Sequence, residues 1–496
     1  MTAIAEKGPL AAPDIRVHAL NSDNLLFPYY LDAGLSGGLE QLHSFYYPRG
    51  PIKKVTSYLR ASGAISMLAG HCEYYDFDHI AQNIIGYPSY QTQVKSTIFG
   101  GGKGPDLPTM MASSLGEIVE RAIGSFSYFG HDDRLRYGTY RAMKEKGFPC
   151  LHPSRIRWFA EEQFAQPGFR YQPFAEDSFL GWVEGRRMLG EGEPIWLPAQ
   201  LTLPFYMPHP DEALIGYGTS GGLAAHVTTD LAVYHGLAEV IERDAVNLHW
   251  NCGHAPKIIE IDCVPRNARL RRALEFVKRV PDRLTLYLHQ TDIEEFHVVT
   301  AVGFIGGFDR YAYLSGGGGG LTIEEAILSA LGEYAQAETS YRLSLFCPDW
   351  QFSDKLKDMF GVEEDTPVEK FDIFFKILAH YGYRSHARKL DWYLAGSGSV
   401  KLSELVADAD HDRDEYLTML GICEKYRLDP IFFDFTLSEF SSVRLVKVFC
   451  PDLTPPYLHS IPYLGPERYY KLPKKLGWTD RELRFEDLTR DPMPYP

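Results

Sequence analysis

Glu239-Val-Ile-Glu242-Arg243, set in the longer stretch Gly236-Leu-Ala-Glu239-Val-Ile-Glu242-Arg243-Asp244-Ala245, most limits what this chain can fold into. Two acids three residues apart share one face of a helix, with Cβ atoms about 5–6 Å apart. Leu237, Val240 and Ile241 then turn the opposite side toward a core. One such pair is ordinary, because solvated helix faces often carry acids. The chain writes the phrase three times, with Ser114-Leu-Gly-Glu117-Ile-Val-Glu120-Arg121 before it and Ala330-Leu-Gly-Glu333-Tyr-Ala-Gln336 after it. Each copy has a small residue just before the first acid and a carboxylate or amide three residues after that acid. The pattern predicts three helices that present oxygen atoms toward one place.

Carboxylate and amide oxygens converging from three helices suit a hard cation such as Mg2+, which shares its oxygen ligands with substrate phosphates. Arg121 and Arg243 directly follow two of the acid pairs and can neutralise phosphate oxygens. The expectation is a nucleotide site of an acid-rich type. It is not a Walker A loop, because Gly100-Gly-Gly-Lys103-Gly104 lacks that spacing.

These residues resemble the motifs of the YcaO family, ATP-dependent enzymes that activate peptide backbone amides. Gly102-Lys103-Gly104 with Ser113-x-x-x-Glu117-x-x-Glu120-Arg121 is similar to the family's first ATP/Mg motif. Leu223-Ala-Ala-His226 with Glu239-x-x-Glu242-Arg243-Asp244 is similar to the second, and Ala330-Leu-x-Glu333-x-x-Gln336 to the third. The resemblance runs from about residue 45 to the end. It implies an α+β fold of YcaO type, with mixed and antiparallel sheets and helices that carry the ATP and Mg2+ ligands. Residues 1–44 have no assigned role, and residues 45–496 are expected to form the catalytic domain. Two departures stand out: Val227 and Leu231 replace the Asn and Glu often found ahead of the second helix, and Glu338 sits where an Arg is common. One ligand then falls to Asp230 or to no residue, and Arg342, one turn past Glu338, can substitute for the Arg.

The chain ends Pro492-Met-Pro494-Tyr-Pro496, a run expected to be stiff polyproline II. Azoline-forming YcaO enzymes end in PxPxP, with the terminus reaching the active site. The resemblance therefore implies a cyclodehydratase that makes thiazolines and oxazolines from Cys, Ser and Thr of a ribosomal precursor peptide. Mg2+ is assigned to Glu117, Glu120, Glu239 and Glu242. Nucleotide contacts fall to Lys103, Ser113, Arg121 and Arg243, together with Glu333 and Gln336, and catalysis to Arg243 and the Pro496 carboxylate. Removing residues 492–496 is expected to abolish cyclisation and spare ATP binding. Alternatives within the family are a thioamide or macroamidine synthase, or a non-catalytic scaffold. No E1-like segment is recognisable, so a leader-binding partner protein is expected, often with a flavin-dependent azoline dehydrogenase. A homodimer within such a complex is compatible with this reading.

The 496 residues carry a formal net charge of −15, which offers no basic footprint for nucleic acid or anionic membrane. Thirty-one tyrosines, 29 phenylalanines and 45% hydrophobic residues place the chain among globular proteins. Seven scattered cysteines without a CxxC pair fit reduced thiols in the cytoplasm, and the N-terminus lacks a signal-like apolar segment.

Locally, the glycines at 100–104 read as a phosphate-approaching loop and those at 316–320 as a run opening a helix from Thr322 to about Arg342. Thr219-Ser220-Gly221-Gly222 reads as a turn feeding the second helix. Leu284–Leu288 and His297–Phe304 read as paired strands, and the short alternating runs Arg155–Phe159 and Gly181–Glu184 as strands among loops. Ile431 to Val448 reads as strand, and Pro48-Arg49-Gly50-Pro51 with Lys53 and Lys54 as a basic turn.

Overall fold

The structure is a computed structural model that describes residues 52–57, 67–74, 99–126, 134–204, 206, 208–265, 267–279, 284–304, 313–346, 362–371, 376–406, 414–436 and 443–495. The N-terminal segment 1–44, the turn at 48–51 and Pro496 lie outside the described residues, while Lys53 and Lys54 fall in the first strand.

Three sheets are described, with helices between them. The first has the order β1-β2-β3 (Ile52–Ser57, Leu68–Tyr74, Phe99–Gly104). A six-stranded sheet contains β4 (Leu135–Gly138), β5 (Leu180–Arg187), β6 (Pro194–Pro198), β7 (Leu223–His226), β13 (Ile431–Asp434) and β14 (Arg444–Phe449). Its order is β4-β5-β13-β14-β7, with β6 also paired to β5. A five-stranded sheet runs β11-β10-β9-β8-β12, from β8 (Lys257–Glu260), β9 (Leu284–His289), β10 (His297–Phe304), β11 (Tyr313–Gly320) and β12 (Ser399–Lys401). The described pairings are antiparallel except β8 with β12. This is the mixed-sheet α+β architecture expected from the resemblance.

The three acid phrases lie on the three longest helices described: α1 (Leu107–Phe126), α2 (Thr229–Asn251) and α4 (Ile323–Phe346). Between α2 and α4 lies α3 (Ala268–Arg279); α5 (Glu415–Tyr426) and α6 (Glu467–Lys475) follow. Thr228 caps α2 by accepting from Leu231 N at 3.2 Å, the usual way an orphan helical N–H is satisfied. Leu237, Val240 and Ile241 are buried in the largest core, with Val298, Val299 and Ala301 of β10 and Ile327, Ala330 and Leu331 of α4. Leu115, Ile118 and Val119 of α1 enter a second core, built on the six-stranded sheet. Each acid-bearing helix is thus fixed by its apolar side. Among the described residues no helix is long and apolar enough to cross a membrane.

Two local expectations are corrected. The glycines at 100–104 and 316–320 are not loops: they belong to β3 and β11. A Cβ at Gly102 would stand 2.2 Å from the Met110 carbonyl oxygen, and one at Gly318 would stand 2.4 Å from that of Ala326. The missing side chains therefore let α1 lie on β3, and α4 on β11, backbone against backbone. The third glycine turn does hold, with Gly222 at φ +82°, but it feeds strand β7 before α2 begins. The second correction concerns Arg155–Phe159, where Pro153–Arg155 is a 3-10 turn and no strand follows. Trp158 and Phe159 instead pack their rings on Tyr463, with centroids 4.5 and 4.9 Å apart. Their alternation serves a loop that plugs the core.

Candidate active site

The first acid of each phrase meets a glycine. Gly101 N donates to Glu117 at 3.1 Å, Gly222 N to Glu239 at 2.8 Å and Gly317 N to Glu333 at 3.0 Å. The sequence separations are 16, 17 and 16 residues, so one geometric unit occurs three times. In each, a side-chain-free backbone brings its N–H within reach of a helical carboxylate. The second acids and the amide find separate partners. Glu120 accepts from Ala225 N of β7 at 2.7 Å, and Glu242 lies 2.6 Å from the Tyr495 hydroxyl. Gln336 packs so closely on Gly101 that a Cβ there would be 1.9 Å from its Nε2.

These units converge. Lys103 of β3 reaches across to Glu333 of α4 at 2.7 Å, and its backbone N–H donates to Ser113 Oγ at 3.3 Å. Arg121 of α1 donates to Ser220 Oγ at 2.5 Å, beside the glycine turn that serves Glu239. Arg121 also stands 3.5 Å from Glu117, and Arg243 3.8 Å from Glu239. Carboxylate repulsion runs in a closed circuit. Glu120 feels Glu117 and Glu239, Glu242 feels Glu333 and Glu239, and Glu117 feels Glu333. The side chains of Glu117, Glu239 and Glu333 remain 30, 33 and 33% exposed, so solvent reaches the ring, as a ligand cleft requires.

The charges are incompletely compensated. Burial pushes Glu120 up to about 8 against the pull of the Ala225 N–H. Burial, followed by repulsion from Glu333, raises Glu242 to about 7. Glu117 is also raised by burial, despite Arg121 and Lys103. For Glu333 the upward push of burial is outweighed by the Lys103 ammonium, which holds this carboxyl below its usual range. Lys103 itself stays firmly cationic, because Glu333 overcomes the cost of burying it. Five carboxyls, three of them lifted by burial, therefore face Lys103, Arg121 and Arg243. The donor set fits Mg2+, which takes oxygen ligands and completes its shell with water and phosphate. The three cations fit a polyphosphate. Among the described residues no group of three or more His, Cys, Asp and Glu side chains forms a ready-made metal cage.

Lys103, Ser113, Glu117, Glu120, Arg121, Glu239, Glu242, Arg243, Glu333 and Gln336 are thus brought together. Asp230 is not: it is exposed in the first turn of α2 and faces Tyr416 of α5. His226 stacks on His235 with ring centroids 5.1 Å apart. Glu338 is 6% exposed, whereas the side chain of Arg342 lies outside the described residues.

Two groups escaped the sequence reading. Tyr495 enters the ring from the tail. Lys447 of β14 is 3% exposed and donates to the carbonyl oxygens of Thr219, at 2.6 Å, and Gly221. Burial lowers it to about 7, with Glu239 pulling the other way. A signal existed for Lys447, since it shares a strand face with the apolar residues Leu445 and Phe449. For Tyr495 no local pattern marks the contact.

A model of the YcaO cyclodehydratases, described as ATP- and Mg2+-binding, matches residues 101–454. An uncharacterized protein of Methanothermobacter thermautotrophicus is 24% identical over 356 residues, covering 71% of this chain and 80% of that protein. A heterocyclase solved in complex with substrate and cofactor has a similar fold, with TM-score 0.69 and 19% identity over 93% of this chain. The present chain spans only 57% of that protein's length. YcaO from Methanopyrus kandleri, bound with AMPPCP and Mg2+, matches with TM-score 0.54 and 18% identity, covering 85% of this chain and 91% of that one. The E. coli microcin synthetase McbBCD complex with pro-MccB17 bound gives 0.52 and 14%, covering 89% and 96%. At these identities the solved structures show a shared fold, while the family model spans well over half of the sequence: this chain belongs to the YcaO cyclodehydratase family, which binds ATP and Mg2+.

Proposed function

We propose that this protein is an ATP-dependent cyclodehydratase acting on backbone amides of a ribosomal precursor peptide, with residues 45–496 as its catalytic unit. The observation that carries this reading is the convergence of five glutamates from three helices with Lys103, Arg121 and Arg243 around one open cleft. In the reaction, a Cys, Ser or Thr side chain adds to the preceding carbonyl and the resulting oxyanion takes the γ-phosphoryl group of ATP. Departure of phosphate leaves a thiazoline or oxazoline, together with ADP. Positioning and charge neutralisation supply most of the rate in phosphoryl transfers.

In this reading Glu117, Glu120, Glu239 and Glu242 hold Mg2+, which when bound neutralises triphosphate charge. Lys103 and Arg121 both act electrostatically on Glu117 and are suited to phosphate oxygens. Ser113, Glu333 and Gln336 line the same cleft and contact the nucleotide. Arg243 carries a charge that its acidic neighbours Glu239, Glu242 and Glu333 keep in place against the cost of burial, and it is the proposed electrostatic catalyst. The Pro496 carboxylate, one residue past Tyr495, is the proposed base or substrate-orienting group. The microcin synthetase relative assembles as a complex with its pro-peptide. By analogy a leader-binding partner protein, and in some settings an azoline dehydrogenase, are proposed to act with this chain.

Mass spectrometry of a precursor peptide incubated with the protein, its partner and Mg–ATP tests the proposal. The expected product lacks the mass of one water for each ring. A sulfide-dependent product would instead assign thioamide formation, and absence of both ATP turnover and Mg–ATP binding would leave a scaffold.

A further inference from the structure

The tail is held carbonyl by carbonyl. Trp250 Nε1 donates to the Asp491 carbonyl at 2.9 Å, Tyr381 Oη to that of Pro492 at 2.5 Å, and Tyr313 Oη to that of Pro494 at 2.5 Å. Prolines have no N–H and form no ladder, so side chains from α2, from residues 376–381 and from β11 supply the donors. Met493 and Tyr495 are 3% and 2% exposed, so this run is packed into the protein and does not lie along its surface.

This docking delivers Tyr495 to the acid ring. Its hydroxyl oxygen lies 2.6 Å from Glu242 Oε1 and 3.1 Å from Glu333 Oε2. A phenol has one proton to donate, so the hydroxyl serves the two carboxyls as a spacer between α2 and α4. Its ring carries the Arg243 guanidinium 4.5 Å from the centroid, a cation–π distance. The contact needs glycine at 317, where a Cβ would be 2.1 Å from the hydroxyl. Tyr495 therefore touches one acid of the second phrase, one of the third, and the arginine between them.

We infer that Tyr495 is a positioning residue for the Mg–nucleotide site, spacing Glu242 from Glu333 and holding Arg243, so that tail docking and nucleotide binding form one coupled equilibrium. The inference rests on the nucleotide reading of the cleft. It sets aside the expectation that removing the tail spares ATP binding. Coupling of this kind is reciprocal: if the docked tail favours nucleotide, bound nucleotide holds the tail down by the same factor.

Calorimetric titration of the full chain with Mg2+ and AMPPCP, for wild type, Tyr495→Phe and Tyr495→Ala, tests it. Tyr495→Phe keeps the buried ring and loses only the hydroxyl, and it is expected to weaken binding about tenfold, the value of a hydrogen bond to a charged group. Tyr495→Ala also loses the stacking and is expected to fall roughly threefold further. Hydrogen exchange supplies a second readout: in wild type, Mg–AMPPCP is expected to slow exchange at the Met493 and Tyr495 amides, which a tail of purely structural role would not do. Unchanged or tighter binding by Tyr495→Phe overturns the inference, as does tail exchange indifferent to nucleotide. If wild type itself fails to bind Mg–AMPPCP, the nucleotide reading falls first and the inference with it.

Discussion

Helix α2 carries two charged sites on adjacent residues that are built on opposite principles. On one side Glu239, Glu242 and Arg243 face the cleft, with the ion pair Arg243–Glu239 stretched to 3.8 Å and the carboxyls crowding one another. On the other, Asp244 is fully buried and takes both arms of Arg468, at 3.1 and 2.7 Å, while Thr454 N donates at 2.7 Å. Arg468 holds Asp292 as well, at 3.3 and 2.8 Å. Both Asp244 oxygens are held by direct bonds that offset part of the upward push burial gives this carboxyl, whereas on the cleft side the carboxyls crowd one another and Arg243 stands off from Glu239. In a folded protein the difference separates charges that fasten elements together from charges kept ready for a ligand.

The largest expected effect tests the cleft side. Glu242→Gln keeps the shape and removes a proposed ligand, so ATP-dependent turnover should fall about 10²–10³-fold. Because burial and Glu333 already disfavour its ionised form, thermal stability without nucleotide should hold or rise. Undiminished ATP consumption by this variant would break the assignment. Arg468→Met tests the other side. It strands Asp244 without its cation and should cost about 3–5 kcal/mol in a denaturant titration, while the folded fraction keeps its affinity for Mg–AMPPCP. Lost affinity in a fully folded variant would erase the distinction between the two faces.

A smaller effect concerns pH. Glu120 titrates near 8 in the folded chain against an ordinary value of 4.5. A raised folded value means that the unfolded chain ionises first. The stability present below pH 4.5 is therefore lost progressively as pH climbs to about 8. Melting temperatures of the nucleotide-free protein between pH 5 and 9 should decline along this window, and Glu120→Gln should flatten the slope. An identical slope in the variant would remove Glu120 from the uncompensated set. The smallest effect is assigned to Ser220→Ala, which deletes one hydrogen bond to Arg121 and should weaken Mg–AMPPCP binding roughly two- to fivefold, as measured by titration.

Much of the frame was legible in the chain. Helical spacing placed Leu237, Val240 and Ile241 inward and the acids on the other side, and paired alternation located β9 and β10. The glycine runs were readable only as places of close approach. Gly-Gly-Gly-Lys-Gly has no strand propensity of its own; β3 exists because β2 pairs with it and α1 covers it. Lys447 was readable from its apolar neighbours two residues away, yet its partners, carbonyls more than 200 residues earlier in the chain, were not.

The sequence alone settled which residues would face which side of each helix, and that three acid phrases were repeated, because helical periodicity and side-chain chemistry are local. Only the tertiary structure decided that Glu117, Glu239 and Glu333 each lean on a glycine N–H, that Asp244 fastens while Glu242 waits, and that Tyr495 closes the ring. Those outcomes depend on which backbones approach within hydrogen-bond reach, a distance set by packing between segments far apart in the chain.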